Sequence, residues 1–294
     1  MVIFAGQGDT RRSMALLWRT PSSGEPRTGP GPKPGLTVDA IVAAAIAVAD
    51  ADGMAGLSMR AVGERLGRTA MALYTYVPNK HELVELMYDQ ALAELPTSYP
   101  MGAGWRAATR SWAEDLWAFY LRHPWMLQVS RARPVLGPHE HTHIETLLRI
   151  LDGTRLESRV LWRLVGSLVG FVRGAVQVVA LSRLAPTMTG VSEEDWWYAR
   201  SALLGEVAPD FAERFPMITR LENDRALEFD DEGVPYLEQE AREVFEAGLE
   251  VLLDGIETTI ATAKAKAKGR RSRPGGATTR RTRGASRGGV GRAG

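Results

Sequence analysis

Apolar residues recur at intervals of three and four positions along most of residues 36–262, which is the period of an α-helix. No run in this region shows the strict alternation between turn signals that is typical of a β-strand. Capping residues, glycines and prolines mark where the helices start and stop. The predicted helices cover Thr37–Asp52, Ser58–Leu66, Thr69–Tyr76, Lys80–Leu95, Trp105–Arg122, a short piece at Trp125–Ser130, His139–Leu151, Glu157–Leu184, Ser192–Gly205 and Tyr236–Thr259. The pattern predicts an all-α protein.

The two flanks of the helical region differ from it in composition. Residues 20–35 are rich in proline and glycine, and residues 264–294 are basic, glycine-rich and of low complexity, so neither segment can bury a core. For residues 1–19 the sequence leaves open a short tail or an artefact of the start codon. We predict a disordered N-terminal segment over 1–35, a three-helix unit over 36–80, a larger helical domain over 81–262 with a long acidic loop over 206–235, and a basic disordered tail over 263–294.

The net charge of +1 hides an uneven distribution. Residues 258–294 carry eleven basic and no acidic side chains, and residues 1–36 carry a net +3, which leaves −13 for residues 37–257. An acidic body repels nucleic acid, so contact with DNA requires a local surface that is basic or neutral. The helices between residues 37 and 80 provide such a surface, because their four basic side chains balance four acidic ones.

The composition also excludes several classes of protein. Without cysteine the chain has no disulfide framework, thiolate zinc finger or cysteine nucleophile, and it suits a reducing cytoplasm. The most apolar run, Val160–Leu181, contains Arg163 and Arg173, so we predict a buried helix rather than a membrane span. The N-terminus lacks the order of a signal peptide. These features predict a cytoplasmic protein without a membrane partner.

The segment Ser58–Tyr76 has the spacing of two helices joined by a tight turn. Gly63 lies where the second helix must pass closely, Gly67 permits a positive φ in the turn, and Leu73 faces the first helix. In a helix-turn-helix the early residues of the second helix meet base edges in the major groove. The candidates for base edges are Arg68, Thr69, Ala70 and Met71, and those for phosphates are Tyr74, Tyr76 and Lys80.

Two helices with a glycine between them also occur in ordinary bundles, so a purely structural role is the alternative. An apolar helix precedes the pair, with Ile41, Ala45, Val48 and Ala49 on one face. It can cover the pair and complete a three-helix unit, which favours DNA binding.

The segment LTVDAIVAAAIAVADADGMAGLSMRAVGERLGRTAMALYTYVPNKHELVELMYDQAL resembles the N-terminal domain of the tetracycline-repressor (TetR) family. The matching pieces are the helix that ends in Ala-Leu-Tyr, the aromatic residue two positions later, and the Asn-Lys-x-Glu-Leu that starts the next helix. His-Pro-Trp at 123–125 and FEAGLEVLLDGIE at 245–257 are similar to the C-terminal domain of the tetracycline-repressor branch. The resemblance implies a ligand-responsive transcriptional regulator and not an enzyme. It also implies a homodimeric repressor that binds a palindromic double-stranded operator and is released by a small molecule.

The resemblance also assigns residues to the DNA. It implies contacts to the DNA backbone from Thr37, Ser58, Arg60, Tyr74, Tyr76 and Lys80, and positions near the bases for Thr69, Ala70 and Met71. One position departs from the family. The residue after the turn glycine is usually apolar and packs inward, but here it is Arg68. Its side chain either runs along the surface with its charge in water or reaches the DNA.

Two helices of the larger domain are candidates for a dimer interface. Gly166, Gly170 and Gly174 lie on one stripe. Since glycine costs a helix about 1 kcal/mol relative to alanine, the stripe indicates the close approach of another helix. In the resembled family the long helix and the last helix of each subunit form a four-helix interface; the alternative is the core of one protomer. The predicted interface residues are Gly166, Gly170, Gly174, Phe245, Leu249, Leu252 and Ile256.

Eight tryptophans suggest a site for a flat apolar ligand, because aromatic side chains line such sites well. Aromatic residues at helical spacing are also common in ordinary cores. Since the resembled family has a ligand pocket in this domain, we predict that some of these side chains line it. The predicted ligand-binding residues are Trp112, Leu116, Trp162, Phe171 and Gln177, the last as a polar group within an apolar run.

The run His-Glu-His-Thr-His at 139–143 formally meets the H-E-x-x-H pattern of zinc hydrolases. A zinc-dependent hydrolase that uses His139, Glu140 and His143 is therefore the alternative function. No third metal ligand is marked, so we predict a solvated helix N-terminus with no metal site and no resident cofactor. By the resemblance alone, a magnesium-chelated effector near these histidines is compatible. A further hypothesis is a nucleoid or scaffold protein that binds DNA through its basic tail.

Overall fold

A computed structural model describes residues 3–19, 35–224, 229 and 233–271. Within them the chain is helical apart from loops, a 3-10 turn at Pro124–Gln128 and one isolated β-bridge, so the predicted all-α fold is confirmed. The helices are α1 (Thr10–Leu17), α2 (Val38–Gly56), α3 (Met59–Leu66), α4 (Ala70–Tyr74), α5 (Lys80–Leu92), α6 (Gly104–Arg122), α7 (Pro138–Asp152), α8 (Ser158–Thr189), α9 (Glu193–Val207), α10 (Phe211–Arg214), α11 (Pro216–Asn223) and α12 (Tyr236–Arg271).

Side-chain caps start the N-terminal helices at the residues that the sequence marks. The Thr37 hydroxyl oxygen accepts a hydrogen bond from the backbone N–H of Ala40 at 3.1 Å, and Ser58 does the same for Ala61 at 3.1 Å. Asn79 caps α5 in this way. Such a cap stabilises a helix by about 1 kcal/mol. The predicted starts of α2, α3 and α5 therefore agree with the structure to within a residue.

The helices pack in two groups, one near the N-terminus and a larger one that follows it in the chain. α2 packs against α3 and α5, α3 packs against α4, and Ile41, Val62 and Leu73 are fully buried between them. Farther along, α8 packs against α6, α7 and α12. The core of this larger body contains the buried side chains of Trp112 and Phe245.

By length and composition, α8 is the single helix in the described part of the chain that is apolar enough to cross a membrane. A third of its most apolar window is buried inside the protomer, against α6, α7 and α12. The opposite side of the helix is exposed. An apolar helix that is buried on one side and exposed on the other is typical of a helix whose exposed side contacts another protein.

Three predicted boundaries are wrong. Residues 3–19, predicted to be unstructured, contain α1, which Asp9 caps and which packs on α5. The long helix does not stop before Pro186: it continues to Thr189, and Gly190 at φ 72° ends it. A proline removes only one hydrogen bond, and so close to the C-terminus that loss is small. The last helix runs to Arg271 rather than ending near residue 259.

The predicted acidic loop over 206–235 contains two short helices, α10 and α11. Residues 20–34 of the predicted linker and 272–294 of the predicted basic tail lie outside the described residues.

Candidate nucleic-acid interface and regulatory body

Two glycines determine how α3 and α4 are joined. Gly67 ends α3 in the left-handed region at φ 63°, a conformation that glycine adopts without steric cost. The N–H of Arg68 then donates to the carbonyl of Gly63 at 2.8 Å. A Cβ on Gly63 would lie 2.7 Å from the Arg68 carbonyl oxygen and 3.3 Å from the Ala70 nitrogen. The α3–α4 geometry is therefore that of a helix-turn-helix, with no room for a side chain at the crossing.

The start of α4 presents an exposed surface. Thr69 caps the helix, and its oxygen accepts from the N–H of Ala72 at 3.3 Å. Met71 is 74% exposed and Tyr74 is 41% exposed, whereas Leu73 faces the core. We call the exposed side chains of Arg68, Thr69, Met71 and Tyr74 the recognition surface. Exposed apolar and hydroxyl groups on the first turn of a short second helix are what base-edge contact in a major groove requires.

Arg68 belongs to this surface rather than to the core. Its side chain is exposed, and a Cβ on Gly35 would lie 3.3 Å from its Nη2. The guanidinium therefore lies beside the segment that enters α2. The apolar packing that is usual after the turn glycine is absent here, and the structure leaves the charge free to face a ligand.

The other predicted DNA contacts differ in how available they are. Ala70 and Tyr76 are half-buried and pack against the core. Arg60 is exposed and forms an ion pair with Glu64 at 2.8 Å. The ammonium of Lys80 donates to the carbonyl of Leu57 at 2.6 Å, which ties the start of α5 to the end of α2. Thr37 and Ser58 stay exposed, with hydroxyl hydrogens that can still donate to phosphate.

The predicted dimer residues divide into two groups. Gly166, Gly170 and Gly174 are exposed, and apart from the neighbouring backbone of α8 no atom of the described residues would lie within 4 Å of a Cβ at any of them. By contrast, Phe245, Leu249 and Ile256 are buried inside the protomer, and Leu252 packs against the same core. Assigning Phe245, Leu249 and Ile256 to the dimer interface was therefore wrong, because this face of α12 covers α8 of its own chain. Leu252 is half-buried, and its place in the interface stays a prediction. Phe245 stacks on Phe171 with ring centroids 5.9 Å apart.

A second stripe of α12 is exposed instead. It consists of Val244, Ala247, Val251 and Gly255, of which Val251 is 70% exposed. We call it, together with the three glycines of α8, the open face. Helical period alone does not mark this stripe as the exposed one, because its spacing of three and four residues is as regular as that of the buried stripe.

The five predicted ligand-binding residues do not line one cavity. Trp112 and Leu116 are fully buried in α6, and Phe171 packs on Phe245. Trp162 is 61% exposed, and Gln177 is also exposed, so the expectation that Gln177 needs a buried partner was wrong. Both lie on the outer side of α8. Within the described chain, the indole N–H of Trp112 is buried without a hydrogen-bond acceptor, and the ring stacks on His143 at 5.6 Å.

Two family models match the chain. Residues 41–87 match the bacterial regulatory proteins of the tetR family, and residues 100–260 match the tetracyclin repressor-like C-terminal domain. The chain belongs to the TetR family. It is thus a ligand-responsive, DNA-binding transcriptional regulator, and neither match supports the hydrolase alternative.

Individual TetR-family relatives agree with this assignment. The HTH-type transcriptional repressor DrrR1 of Streptomyces coeruleorubidus is 37% identical over 87% of this chain and 89% of its own length. An HTH-type transcriptional regulator of Saccharopolyspora erythraea is 36% identical over 36% of this chain and 45% of its own. Apo ActR from Streptomyces coelicolor shares the fold at 24% identity, with a TM-score of 0.58 over 76% of this chain and 98% of its own.

The buried side chains of His123 and Trp125 join the two parts of this TetR-family chain through two carboxylates that are partly exposed. Nδ1 of His123 lies 2.8 Å from Asp50 on α2, and Nε2 lies 3.1 Å from Glu94 after α5. The indole N–H of Trp125 also donates to Asp50, at 2.7 Å. The His-Pro-Trp motif carries the resemblance to the family, but the resemblance does not predict this contact. A polar histidine next to a tryptophan in an apolar body was the signal that could have indicated it.

The three residues of the hydrolase hypothesis have separate structural partners. The backbone N–H groups of His139 and Glu140 donate to Asp89 at 3.0 and 2.9 Å. The Glu140 carboxylate accepts from the N–H of Leu136 at 2.7 Å, and the ring of His143 stacks on Trp112. Among the described residues, no group of three or more histidines and carboxylates has the placement of a metal site. The prediction of a solvated helix start was wrong for Glu140, which is buried.

His143 makes stability depend on pH. Burial lowers its pKa to about 4 from 6.5, so between pH 6.5 and 4 the unfolded chain binds more protons than the folded chain. The free energy of unfolding therefore falls as the pH falls through this window. Since His143 is half-buried, we expect the loss at pH 5 to be at most about 2 kcal/mol.

This loss is measured by comparing His143→Phe, which keeps a ring against Trp112, with the wild type in urea unfolding at pH 7 and pH 5. The variant should lose less stability on acidification. His81→Phe, at an exposed position, is the control. Equal losses in the wild type and in His143→Phe would contradict the prediction.

Proposed function

We propose that the chain is a homodimeric repressor whose recognition surface binds each half of a palindromic operator, and that a small molecule bound in the helical body releases it. Binding to chromosomal DNA places it in the cytoplasm. Repression is supported by the similarity to a transcriptional repressor over 89% of that relative's length. The observation that carries DNA binding is the exposed start of α4, held on α3 by two glycines.

The proposed DNA contacts divide by chemistry. Arg68, Thr69 and Met71 are placed to meet bases, because a guanidinium can bind guanine and a thioether can meet a thymine methyl. Thr37, Ser58 and Tyr74 offer hydroxyl groups to phosphates, together with the exposed guanidinium of Arg60. Thr37 and Ser58 also cap α2 and α3, and helix N-termini attract anions. The proposed DNA-binding domain is 36–80, and 81–262 is the proposed regulatory and dimerisation domain.

The homodimer is supported by the open face. Glycines at 166, 170 and 174 leave a groove along α8 that no part of the described chain fills, and apolar side chains of α12 lie exposed beside it. A glycine stripe destabilises a helix unless a neighbour approaches closely. A second copy of the chain offers the same groove and the same apolar side chains, so two copies can cover each other around a two-fold axis.

The effector site is proposed between α6 and α7, around Trp112. The buried indole N–H without an acceptor costs free energy, which a ligand that accepts the hydrogen bond would recover. The ring of His143 next to it adds an aromatic surface. Trp112, Leu116 and Phe171 remain the candidates in this region, whereas Trp162 and Gln177 lie on the side of α8 that would face the partner.

Operator binding is tested with DNA selected from a random pool by the wild-type protein. We expect Arg68→Ala to weaken binding about tenfold, because one good base contact is worth ~1–3 kcal/mol. It should also relax base preference at one position of each half-site. A loss that is uniform across sequences, with a smaller salt slope, would assign Arg68 to a phosphate instead.

Arg149→Ala is the matched control, because it removes the same charge from an exposed position of α7, outside the open face. If the wild type selects no sequence, operator binding is refuted. If Arg68→Ala and Arg149→Ala bind alike, Arg68 does not belong to the recognition surface.

A further inference from the structure

Residues 3–19 lie outside both segments that the family models match, yet they are bound to the fold along their whole length. The N–H of Ile3 donates to the carbonyl of Gln128 at 2.9 Å, and the N–H of Ser130 donates to the carbonyl of Ile3 at 2.7 Å. These two bonds pair the start of the segment with the loop that follows the 3-10 turn of the body. Ala5 and Leu17 are buried, so the two ends are anchored by apolar contact as well.

The middle of the segment covers carboxylates on α5. Glu82 and Glu85 are almost fully buried, which is unfavourable for a charge without partners. The N–H of Gly6 donates to Glu85 at 2.5 Å. Burial raises the pKa of Glu82, while Arg12 and the backbone of Asp9 oppose that shift. The segment thus supplies backbone donors to both buried carboxylates of α5, from Gly6 to Glu85 and from Asp9 to Glu82. The second carboxylate oxygen of Glu82, Oε2, has no hydrogen-bond partner among the described residues.

The end of the segment reaches both parts of the protein. The indole N–H of Trp18 donates to the carbonyl of Leu136 at 3.1 Å, and the ring lies 5.8 Å from that of His141 in α7. The next residue, Arg19, binds Oδ1 of Asp39 in α2 through Nε at 3.1 Å and Nη2 at 2.7 Å. These seventeen residues therefore contact four parts of the fold in turn. They are the loop after the 3-10 turn, α5, the start of α7, and α2 of the DNA-binding domain.

We propose that residues 3–19 hold the DNA-binding domain in a fixed position on the regulatory body, and that Gly8 and Arg19 are positioning residues for operator recognition. A dimer reads two half-sites only when its recognition helices are about one helical turn of DNA apart. α5 provides the covalent connection between the two domains, and Asp50 on α2 attaches the DNA-binding domain to His123 and Trp125 of the body. Residues 3–19 add a further attachment, at Asp39 near the start of α2, which restricts rotation of the domain about the covalent path.

This inference rests on the proposed operator binding, and its test uses the full chain. Gly8→Val should displace the segment, because a Cβ at Gly8 would lie 2.5 Å from Oε1 and 2.7 Å from Cγ of Glu82. Leu17→Asp removes the apolar anchor and is the second displacing variant. Arg19→Gln breaks only the attachment to α2. Arg11→Gln is the matched control, because Arg11 is an exposed arginine of the same segment, on α1, and the substitution removes the same charge.

The measurement is operator affinity as a function of half-site spacing. Selected operators are lengthened or shortened by one and two base pairs at their centre, and binding is followed by fluorescence anisotropy. We expect the wild type and Arg11→Gln to show a sharp optimum. In the other three variants the ratio of affinities between the best and the shifted spacings should fall at least about threefold, since a freer domain can follow a rotated half-site. Thermal unfolding of the body should change little in Arg19→Gln.

Trypsin shows directly whether the segment is displaced, because Arg11 and Arg12 are cleavage sites within α1. Rapid cleavage together with an unchanged spacing profile would overturn the proposal. So would protection of the segment in both Gly8→Val and Leu17→Asp, because its docking would then not depend on the contacts described. Failure of the wild type to bind any operator would instead refute the proposed function.

Discussion

Replacing Gly63 with alanine is expected to weaken operator binding by about five- to a hundredfold, because overpacking of this kind costs ~1–3 kcal/mol. The new Cβ would meet backbone atoms at 2.7 and 3.3 Å, and neither the Arg68 carbonyl nor the Ala70 nitrogen can rotate away as a side chain can. α4 must therefore shift on α3. Every residue of the recognition surface follows this crossing, so a small shift moves all base contacts together.

Fluorescence anisotropy with the selected operator measures this loss, and circular dichroism checks that the helical body is intact. Gly205→Ala is the matched control: it also adds a methyl group to a helical glycine, but no atom lies within 4 Å of the new Cβ. It should bind as the wild type does and gain a little stability. If Gly63→Ala binds the operator with wild-type affinity, the residues at the start of α4 do not contact the bases as proposed.

Ala247→Arg is expected to convert the dimer into a monomer. Ala247 lies in the middle of the exposed stripe of α12, and in the proposed dimer an arginine there would be buried against the open face of the partner, with the same charge introduced from the other copy. Burying like charges without partners costs several kcal/mol, which is enough to dissociate an interface of ordinary size at micromolar concentration. Light scattering after gel filtration should give half the wild-type mass.

Two further variants sharpen this test. Ala118→Arg makes the same change at an exposed position of α6, outside the open face, and should remain dimeric. Phe245→Ala, on the buried stripe, should lower the free energy of unfolding by about 3 kcal/mol or more, because it leaves a cavity in the protomer rather than in the interface. Full dimer mass in Ala247→Arg would place the interface elsewhere and leave the glycine groove without an explanation.

The DNA-binding half follows closely from local sequence. Thr37, Ser58 and Asn79 specify where helices begin, because a cap acts on the backbone three residues away. Gly63 and Gly67 specify the turn, because steric exclusion there is also local. For this reason the helices over 37–92, the turn and most of the recognition surface could be predicted from the sequence.

The sequence did not predict which side of a helix packs against the rest of the protomer and which side stays exposed. α12 carries two apolar stripes, and helical period alone does not say whether Phe245 or Val251 faces the core. The answer comes from α8, which takes the Phe245 side and leaves the Val251 side open. For the same reason the five predicted ligand-binding residues do not line one pocket, because Trp162 and Gln177 lie on the exposed side of α8.

The sequence by itself determined the helical class, the helix-turn-helix and the TetR family, because caps, turn glycines and family motifs act over a few neighbouring residues. Only the tertiary structure showed which residues form the open face, that the ring of His123 contacts both Asp50 and Glu94, and that residues 3–19 pack on the rest of the protein. These features depend on contacts between distant residues, such as His123 with Asp50, 73 positions apart, and Trp18 with Leu136, 118 positions apart. Contacts at such separations form only when the whole fold brings the two residues together, so no local sequence pattern predicts them.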